Sequence, residues 1–154
     1  MNLSILNNEC FTLINQIPAS ETVMTKTAWR KHRLPRCAKK DGLYDKSSGG
    51  MVFRANTWTA FLYDWQEYKK PSWNDNGYYT LSESEQEEYF TVNIGDLLIF
   101  ADIPDKVPES LQEFNALRDK YKEQGGIITG TEVYISFKNN GVPWETNHIE
   151  VIKT

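Results

Sequence analysis

Apolar and polar residues alternate along much of the chain, as they do in half-buried β-strands. The first such segment is CFTLINQI, in which the alternation slips once, and the second is MVFRANTWTAFLYDW. The pattern returns late in the chain in IITGTEVYISF and in HIEVI. Because alternating residues of an extended chain fall on opposite faces, the sequence predicts a mainly β fold, a small β-barrel or sandwich.

One segment has the periodicity of an α-helix instead. Ser110 and Glu113 form an S-x-x-E capping box, which provides partners for the free amides of a first helical turn. Gly125-Gly126 supplies a left-handed stop further along. The sequence therefore predicts one α-helix at about residues 110–123, which covers one side or the mouth of a sheet. Its apolar face consists of Leu111, Phe114, Leu117 and Tyr121.

Glycine-containing segments mark the predicted turns. YFTVNIGDLLIFADI contains a Gly95-Asp96 step, which suits a tight bend between two strand segments, with Asp96 bonded to its own backbone. The Asn76-Gly77 step is the strongest short hairpin signal in the chain. Residues 41–50, DGLYDKSSGG, offer little to bury and predict a flexible loop. LSESEQEEYF predicts a short helical turn, since its serines cap and its acids suit a helix N-terminus.

The length of 154 residues predicts a single domain. Residues 1–22 are a candidate for an extended N-terminal arm of that domain. No run approaches the roughly 20 apolar residues that span a bilayer. MNLSILNNECF also lacks the basic start and long apolar core of a secretory signal. We therefore expect a protein that acts in a cytoplasm or on a particle made there, with no membrane partner.

Charge is distributed unevenly along the chain. The net charge is −4, but residues 26–46 hold eight Lys or Arg against two Asp, which leaves −10 on the rest. Charges on both faces of this segment, together with Pro35, argue against a central strand and predict an edge ribbon or a projecting arm. The asymmetry favours head-to-tail contacts between copies or a polyanionic partner, and a solvated ribbon is the alternative. The candidate contact residues are Arg30, Lys31, Arg33, Arg36, Lys39, Lys40 and Lys46.

Reactive side chains do not stand in a catalytic arrangement. Asp96 lacks a second carboxylate for acid–base work, and His148 lacks an accompanying Ser or Cys motif, so both are predicted to be structural. Cys10 and Cys37 have no CxxC spacing and no histidine at ligand spacing, which predicts two reduced thiols. No glycine pattern matches a nucleotide-binding loop. We expect no enzyme, no metal site and no cofactor.

An aromatic-rich segment between Trp58 and Tyr79 has two interpretations. Its eight aromatic residues, with Lys69 and Lys70 among them, could stack on the bases of single-stranded nucleic acid. The same composition is typical of a barrel wall that is buried inside and presses on a neighbouring subunit outside. We favour the wall or interface, because the basic cluster lies elsewhere in the sequence.

Five segments follow one another in an order that is itself informative. They are TAWRKH, then MVFRANTWTAFLY after a Gly-rich loop, then YFTVNIGDLLIFADI, LRDKYKEQGGIITGTEV and the closing strand His148-Ile149-Glu150-Val151. By these segments the chain, from about Trp29 to Thr154, resembles the small neck proteins of long-tailed bacteriophages, the head-closure or head–tail joining components.

The resemblance implies a structural virion protein, a β-barrel subunit of a homo-oligomeric ring below the portal and adaptor. Such rings retain packaged DNA in the head and dock the tail. The implied partners are copies of the same chain, a portal or adaptor protein, a tail terminator or tail-tube protein, and double-stranded DNA in the channel. By analogy, residues 41–50 face the lumen or a neighbouring ring, with Lys39, Lys40 and Lys46 near DNA phosphates. The implied location is the virion neck, and the host cytoplasm during assembly.

A second resemblance gives an alternative function. GDLLIF after a variable strand is similar to the small barrels that bind RNA or modified bases, related to accessory domains of pseudouridine synthases. The basic ribbon and the aromatic strand would then form the binding face for RNA or single-stranded nucleic acid.

Overall fold

The computed structural model describes residues 9–18, 27–48, 51–135 and 147–154, and for residues 41–48 and 51–56 it describes the backbone alone. The described residues contain two α-helices, α1 (Glu83–Glu88) and α2 (Leu111–Lys120), and two 3-10 turns, at Trp65–Glu67 and Tyr78–Thr80. The strands in chain order are β1 (Glu9–Ile17), β2 (Ala28–Ser48), β3 (Met51–Leu62), β4 (Leu97–Ile99), β5 (Gly125–Ile127), β6 (Gly130–Tyr134) and β7 (His148–Lys153).

The strands form one antiparallel sheet in the order β5-β4-β1-β2-β3-β7-β6. Its two outermost strands, β5 and β6, are separated in sequence only by Ile128 and Thr129. The Ile128 amide donates to the carbonyl of Asp96, and the Thr129 amide donates to the carbonyl of Ile152. Two residues thus connect opposite edges of the sheet, which curls into a half-barrel. The prediction of a mainly β, barrel-like fold is confirmed.

The concave face of the sheet, called the inner face below, encloses the largest apolar cluster. Phe11 and Leu13 of β1 meet Leu34 of β2 there, and Trp58 of β3 closes the cluster with a ring 4.9 Å from that of Phe100. Such burial is the main favourable term in folding. The buried members are Phe11, Leu13, Leu34, Cys37, Trp58, Ala60, Leu62, Phe90, Val92, Leu98, Ile128, Ile149 and Val151.

Helix α2 covers part of the opposite, outer face. Phe114 stacks on Trp29 with ring centroids 6.0 Å apart, beside Ile14 of β1. The Ser110 side chain caps the helix by accepting from the amide of Glu113. The Glu113 carboxylate instead accepts from the amide of Glu109, so the predicted capping box forms only in part. The helix lies within the range predicted for it.

Two expected boundaries differ from the structure. Helix α2 ends at Lys120, and Gly125-Gly126 begin β5 instead of stopping the helix. Residues 9–17 are β1, which pairs with both β2 and β4, so they are part of the sheet and not an extended arm. Residues 1–8 lie outside the described part of the chain.

Strand β2 is longer than the sequence suggested. Residues 41–48, expected as part of a flexible loop, pair with β3 without interruption, from Asp41 opposite Trp58 to Ser48 opposite Met51. The pairing depends on main-chain hydrogen bonds, so a polar, glycine-containing segment can take part in it. Only two residues separate the paired ends, which is hairpin spacing, although those two glycines lie outside the described residues.

The basic part of β2 is central in the strand order, and not simply at an edge as expected. Pro35 fits there because the β1–β2 register shifts at this point, with Phe11 opposite Leu34 but Glu9 opposite Cys37. Proline lacks an amide proton and is tolerated in such irregularities. The ladder to β3 begins only at Cys37. Before Cys37, β2 pairs with β1 alone among the described strands. This part of β2 therefore has one paired side, against β1, and one side that is a sheet edge, as the sequence predicted.

Two of the predicted turns differ in outcome. Gly95 has a φ of 100°, a conformation that favours glycine, so the bend before β4 is confirmed. The Asn76-Gly77 hairpin is wrong: positive φ values fall on Asp75 and Asn76, and the chain continues into the turn Tyr78–Thr80. Buried Tyr78 anchors this segment in the core, so no second strand follows. Upstream of Gly95, the expected strand is reduced to an isolated bridge between Phe90 and Tyr68.

The short helical turn predicted in LSESEQEEYF is confirmed as α1. Ser82 caps it, and Ser82 and Glu85 form the complete capping box. No helix in the described ranges is long and apolar enough to cross a membrane.

Candidate interaction surface

The strand register divides the predicted basic cluster between two faces of the sheet. Lys31 lies opposite Ile14 and Arg33 opposite Thr12, on the face that carries α2. Arg30 lies opposite Asn15, on the inner face. The expectation that charges fall on both faces of this segment is therefore confirmed, and the cations do not form one continuous patch.

The segment after β4 binds two of these cations. Lys31 Nζ donates to the carbonyls of Ile103 and Asp105, both at 2.7 Å. Arg33 Nε donates to the carboxylate of Asp102 at 2.9 Å, with both side chains at least half exposed. An ion pair this exposed contributes little to stability. The two hydrogen bonds of Lys31 hold its ammonium group within the domain, so this group does not extend towards a partner.

Arg36 and Asp64 meet where the β2–β3 ladder ends. The Arg36 amide donates to Asp64 Oδ2 at 3.1 Å, and the Arg36 carbonyl accepts from the amide of Tyr63. Burial raises the pKa of Asp64 to about 6, against the lowering effect of the Arg36 amide. The Arg36 side chain itself is exposed.

The remaining predicted cations lie along a two-stranded ribbon. We call residues 42–48 of β2 with residues 51–57 of β3 the hairpin arm, because within the described chain these residues pair only with each other. Lys39 and Lys40 are exposed at its base, and Lys39 Nζ lies 4.7 Å from the ring centroid of Phe100. Lys46 is in the arm, opposite Phe53, and its side chain is outside the description.

A buried polar group on the inner face joins β2 to α1. The Tyr78 hydroxyl donates to the carbonyl of Gln86 at 2.7 Å and lies 3.1 Å from His32 Nε2, which must then donate to it. Burial, and next the charge of Arg30, lowers the pKa of His32 to about 4. A neutral, hydrogen-bonded histidine fits a structural role, and sequence reasoning gave no sign of this contact.

Asp96 is a buried carboxylate with three donors. Its oxygens accept from the amide of Asn93 at 2.9 Å, the amide of Gln16 at 2.9 Å and the side chain of Asn15 at 2.8 Å. Burial raises its pKa to about 7, while the three donors oppose that shift. The predicted bond to its own turn is confirmed, and the additional bonds fix the turn to β1. In the sequence, these additional bonds were indicated only by a polar residue, Asn15, within the otherwise apolar strand β1.

The aromatic segment forms part of the wall and core of the half-barrel. Trp58, Tyr78 and Tyr79 are buried, whereas Trp73 is 36% exposed and tilts against Tyr79 with ring centroids 5.1 Å apart. This burial agrees with the wall interpretation. The four half-buried rings are Phe61, Tyr63, Trp65 and Tyr68.

The other reactive side chains are separated from one another. His148 Nε2 lies 3.3 Å from a Glu150 oxygen, and its ring stacks on Tyr134. Cys37 is buried and Cys10 half-buried, and both are free. Burial raises the pKa of Cys37 well above the usual value. In the described ranges, no three His, Cys, Asp or Glu residues are placed to hold a metal ion.

The described surface includes exposed charged side chains along β2 and the two-stranded hairpin arm. One concavity, of about 710 Å³, is an open groove between Asp105 and α2. Comparison with protein-family models, with curated proteins and with solved structures finds no match to this chain.

Proposed function

We propose that this protein is a structural connector subunit in the neck of a tailed bacteriophage, where it forms a ring that retains packaged DNA and docks the tail. The order of sequence segments first suggests this role. The structural observation that supports it most is the hairpin arm, which leaves a small half-barrel and has no described strand beside it.

The dimensions of the arm suit contacts beyond the domain. From Gly42 to Ser48 it spans roughly 20 Å at the usual rise of a β-strand. An arm of that reach allows one copy to contact the next copy in a ring, or to enter the channel that a ring encloses. Heterologous contacts of this kind close into rings when the rotation between copies permits.

Lys39 and Lys40 are the cations best placed for a partner. Both are exposed at the base of the arm, where they would approach DNA phosphates or an acidic neighbour. Arg30 and Lys31 are weaker candidates, because their side chains are only partly exposed. Arg33 is exposed but lies outside the arm, in an ion pair with Asp102.

Reversal of the charges at the base of the arm tests this assignment. We expect Lys39→Glu with Lys40→Glu to lower the yield of infectious particles by about tenfold or more, because the reversed charges would repel DNA phosphates or an acidic neighbour. Thermal unfolding of the isolated chain should stay close to wild type, because both side chains are exposed. Lys122→Glu, an exposed reversal beyond α2, is the matched control. Wild-type yield from the double variant would contradict the role of these lysines.

The alternative function is a barrel module that binds RNA or single-stranded nucleic acid. Trp73 favours it, because this ring is partly exposed and supported from behind by Tyr79, as a base-stacking side chain would be. Affinity of the free chain for oligonucleotides that falls steeply with added salt would distinguish this function.

A further inference from the structure

The first half of β2 has an open edge. From Ala28 to Leu34 it pairs with β1, and the ladder to β3 begins only at Cys37. In the described chain, no strand adjoins the other side of these residues. A strand edge of this kind presents main-chain donors and acceptors to which a further strand can pair.

A groove runs along this open edge. Two clefts, of 390 and 510 Å³, lie end to end and share Lys31 and Glu87 in their walls. The first extends to Pro35 and the second to Trp29. We call the two clefts together the edge groove. The edge groove runs parallel to β2 from Trp29 to Pro35, the direction in which an extended peptide paired with this edge would lie.

Two side-chain donors at one end of the edge groove lack partners among the described residues. Trp29 is 6% exposed, and its buried Nε1 has no hydrogen-bond acceptor in the described part of the chain; the same holds for Nε of Arg30. Both residues line the second cleft. A buried donor left unsatisfied costs about 1–3 kcal/mol. Trp29 lies on the outer face of β2 and Arg30 on the inner face, so a carbonyl group of an added segment would supply an acceptor to one of the two.

The other end of the edge groove is negatively charged. Glu67, Glu87 and Glu88 line the first cleft, are exposed, and form no ion pair with any described side chain. The cations in the same walls, Lys31 and Arg33, already bind the segment after β4. The uncompensated charge therefore favours a cationic occupant.

We propose that the edge groove binds an extended segment of a partner protein, with Lys or Arg at alternate positions, which adds to the sheet as a further strand beside Ala28–Leu34. Main-chain hydrogen bonds to the open edge provide affinity in this mode, and side-chain contacts provide specificity. The alternate cations contact Glu67, Glu87 and Glu88. This inference depends on the edge and its charges, and not on the neck function.

Peptide binding to the full chain tests the mode of recognition. The probe is a fluorescent seven-residue peptide, TKVKVKT, and its partner peptide has Glu in place of each Lys. We expect the Lys peptide to bind at least about tenfold more tightly. Two further Lys peptides carry N-methyl groups on alternate amides, on one strand edge or on the other. Only one strand edge can face β2, so one methylated peptide should lose binding and the other should retain it.

Charge-reversed variants locate the binding site. Glu87→Lys with Glu88→Lys should weaken binding of the Lys peptide by about tenfold. Glu83→Lys, on the same helix but outside the groove, should leave binding unchanged. Equal affinity for the Lys and Glu peptides, equal effects of the two methylation patterns, or equal binding by the two protein variants would overturn the proposal. Self-association in the ultracentrifuge that the double variant abolishes would also overturn it, since the occupant would then be a second copy.

Discussion

Asp96 shows how much of the fold depends on a single buried carboxylate. Its bonds to Asn15 and Gln16 of β1 and to Asn93 of its own turn hold the turn against β1. Ordinary carboxylates are ionised at neutral pH, but burial raises the pKa of this one to about 7. The folded state therefore keeps a proton that the unfolded chain has already released.

The pKa of Asp96 predicts a pH dependence of stability. Between about pH 4 and pH 7 the folded state binds one more proton than the unfolded state, so the free energy of unfolding falls as pH rises. Asp96→Asn cannot titrate, and it leaves a donor facing another donor at a cost of about 1–3 kcal/mol. We expect the stability advantage of wild type over this variant to be greatest near pH 4 and to shrink towards pH 8.

Urea unfolding at several pH values measures this difference. Glu123→Gln, which replaces an exposed carboxylate, serves as the control and should follow the wild-type curve. Parallel curves for wild type and Asp96→Asn over that range would contradict the raised pKa.

At the scale of elements, the close packing of β5 against β4 can be tested by adding a methyl group to a glycine of β5. A Cβ atom on Gly125 would lie 2.0 Å from the carbonyl oxygen of Leu98, which is backbone and cannot move alone. The nearest atoms to a Cβ atom on the adjacent Gly126 would belong to the flexible side chain of Lys153. We expect Gly125→Ala to lower the free energy of unfolding by about 2 kcal/mol or more, and Gly126→Ala by less than about 1 kcal/mol. Equal urea midpoints for the two variants would show that this strand pair is not tightly packed.

Element prediction from the sequence agrees best with burial in β7 and in residues 57–62 of β3, where buried and partly exposed side chains alternate. The apolar pattern also identified β1 and β6, and the S-x-x-E signal identified α2. It failed for residues 41–48, because a ribbon that pairs through its main chain needs no alternation of apolar side chains. Pro35 argued against a central strand in the same region. The structure accommodates this proline by a register shift between β1 and β2, which is a property of two paired strands and cannot be deduced from the sequence of one.

At the scale of the whole molecule, the candidate site could be predicted only in part. The sequence identified a basic segment, but not that Lys31 binds carbonyls more than seventy residues away. It likewise gave no sign that the ladder to β3 begins only at Cys37, which leaves an open edge on β2. Long-range contacts decide which charges stay available, and local patterns do not contain them.

The charge asymmetry of the chain takes a different form in three dimensions. The described surface has exposed lysines at the base of the hairpin arm, at Lys39 and Lys40, and uncompensated carboxylates beside the open edge of β2. A molecule with opposite charges at separate places suits assembly with other subunits. That arrangement agrees with the connector function that we propose.

Electron microscopy of phage particles tests the connector function most directly. The gene for this chain alone is inactivated, and the resulting lysate is imaged in negative stain beside a lysate complemented with the intact gene. The account predicts separate tails beside emptied or leaking heads, with joined particles restored by complementation. Normal joined particles without the gene would contradict the account and would leave nucleic-acid binding as the function to examine.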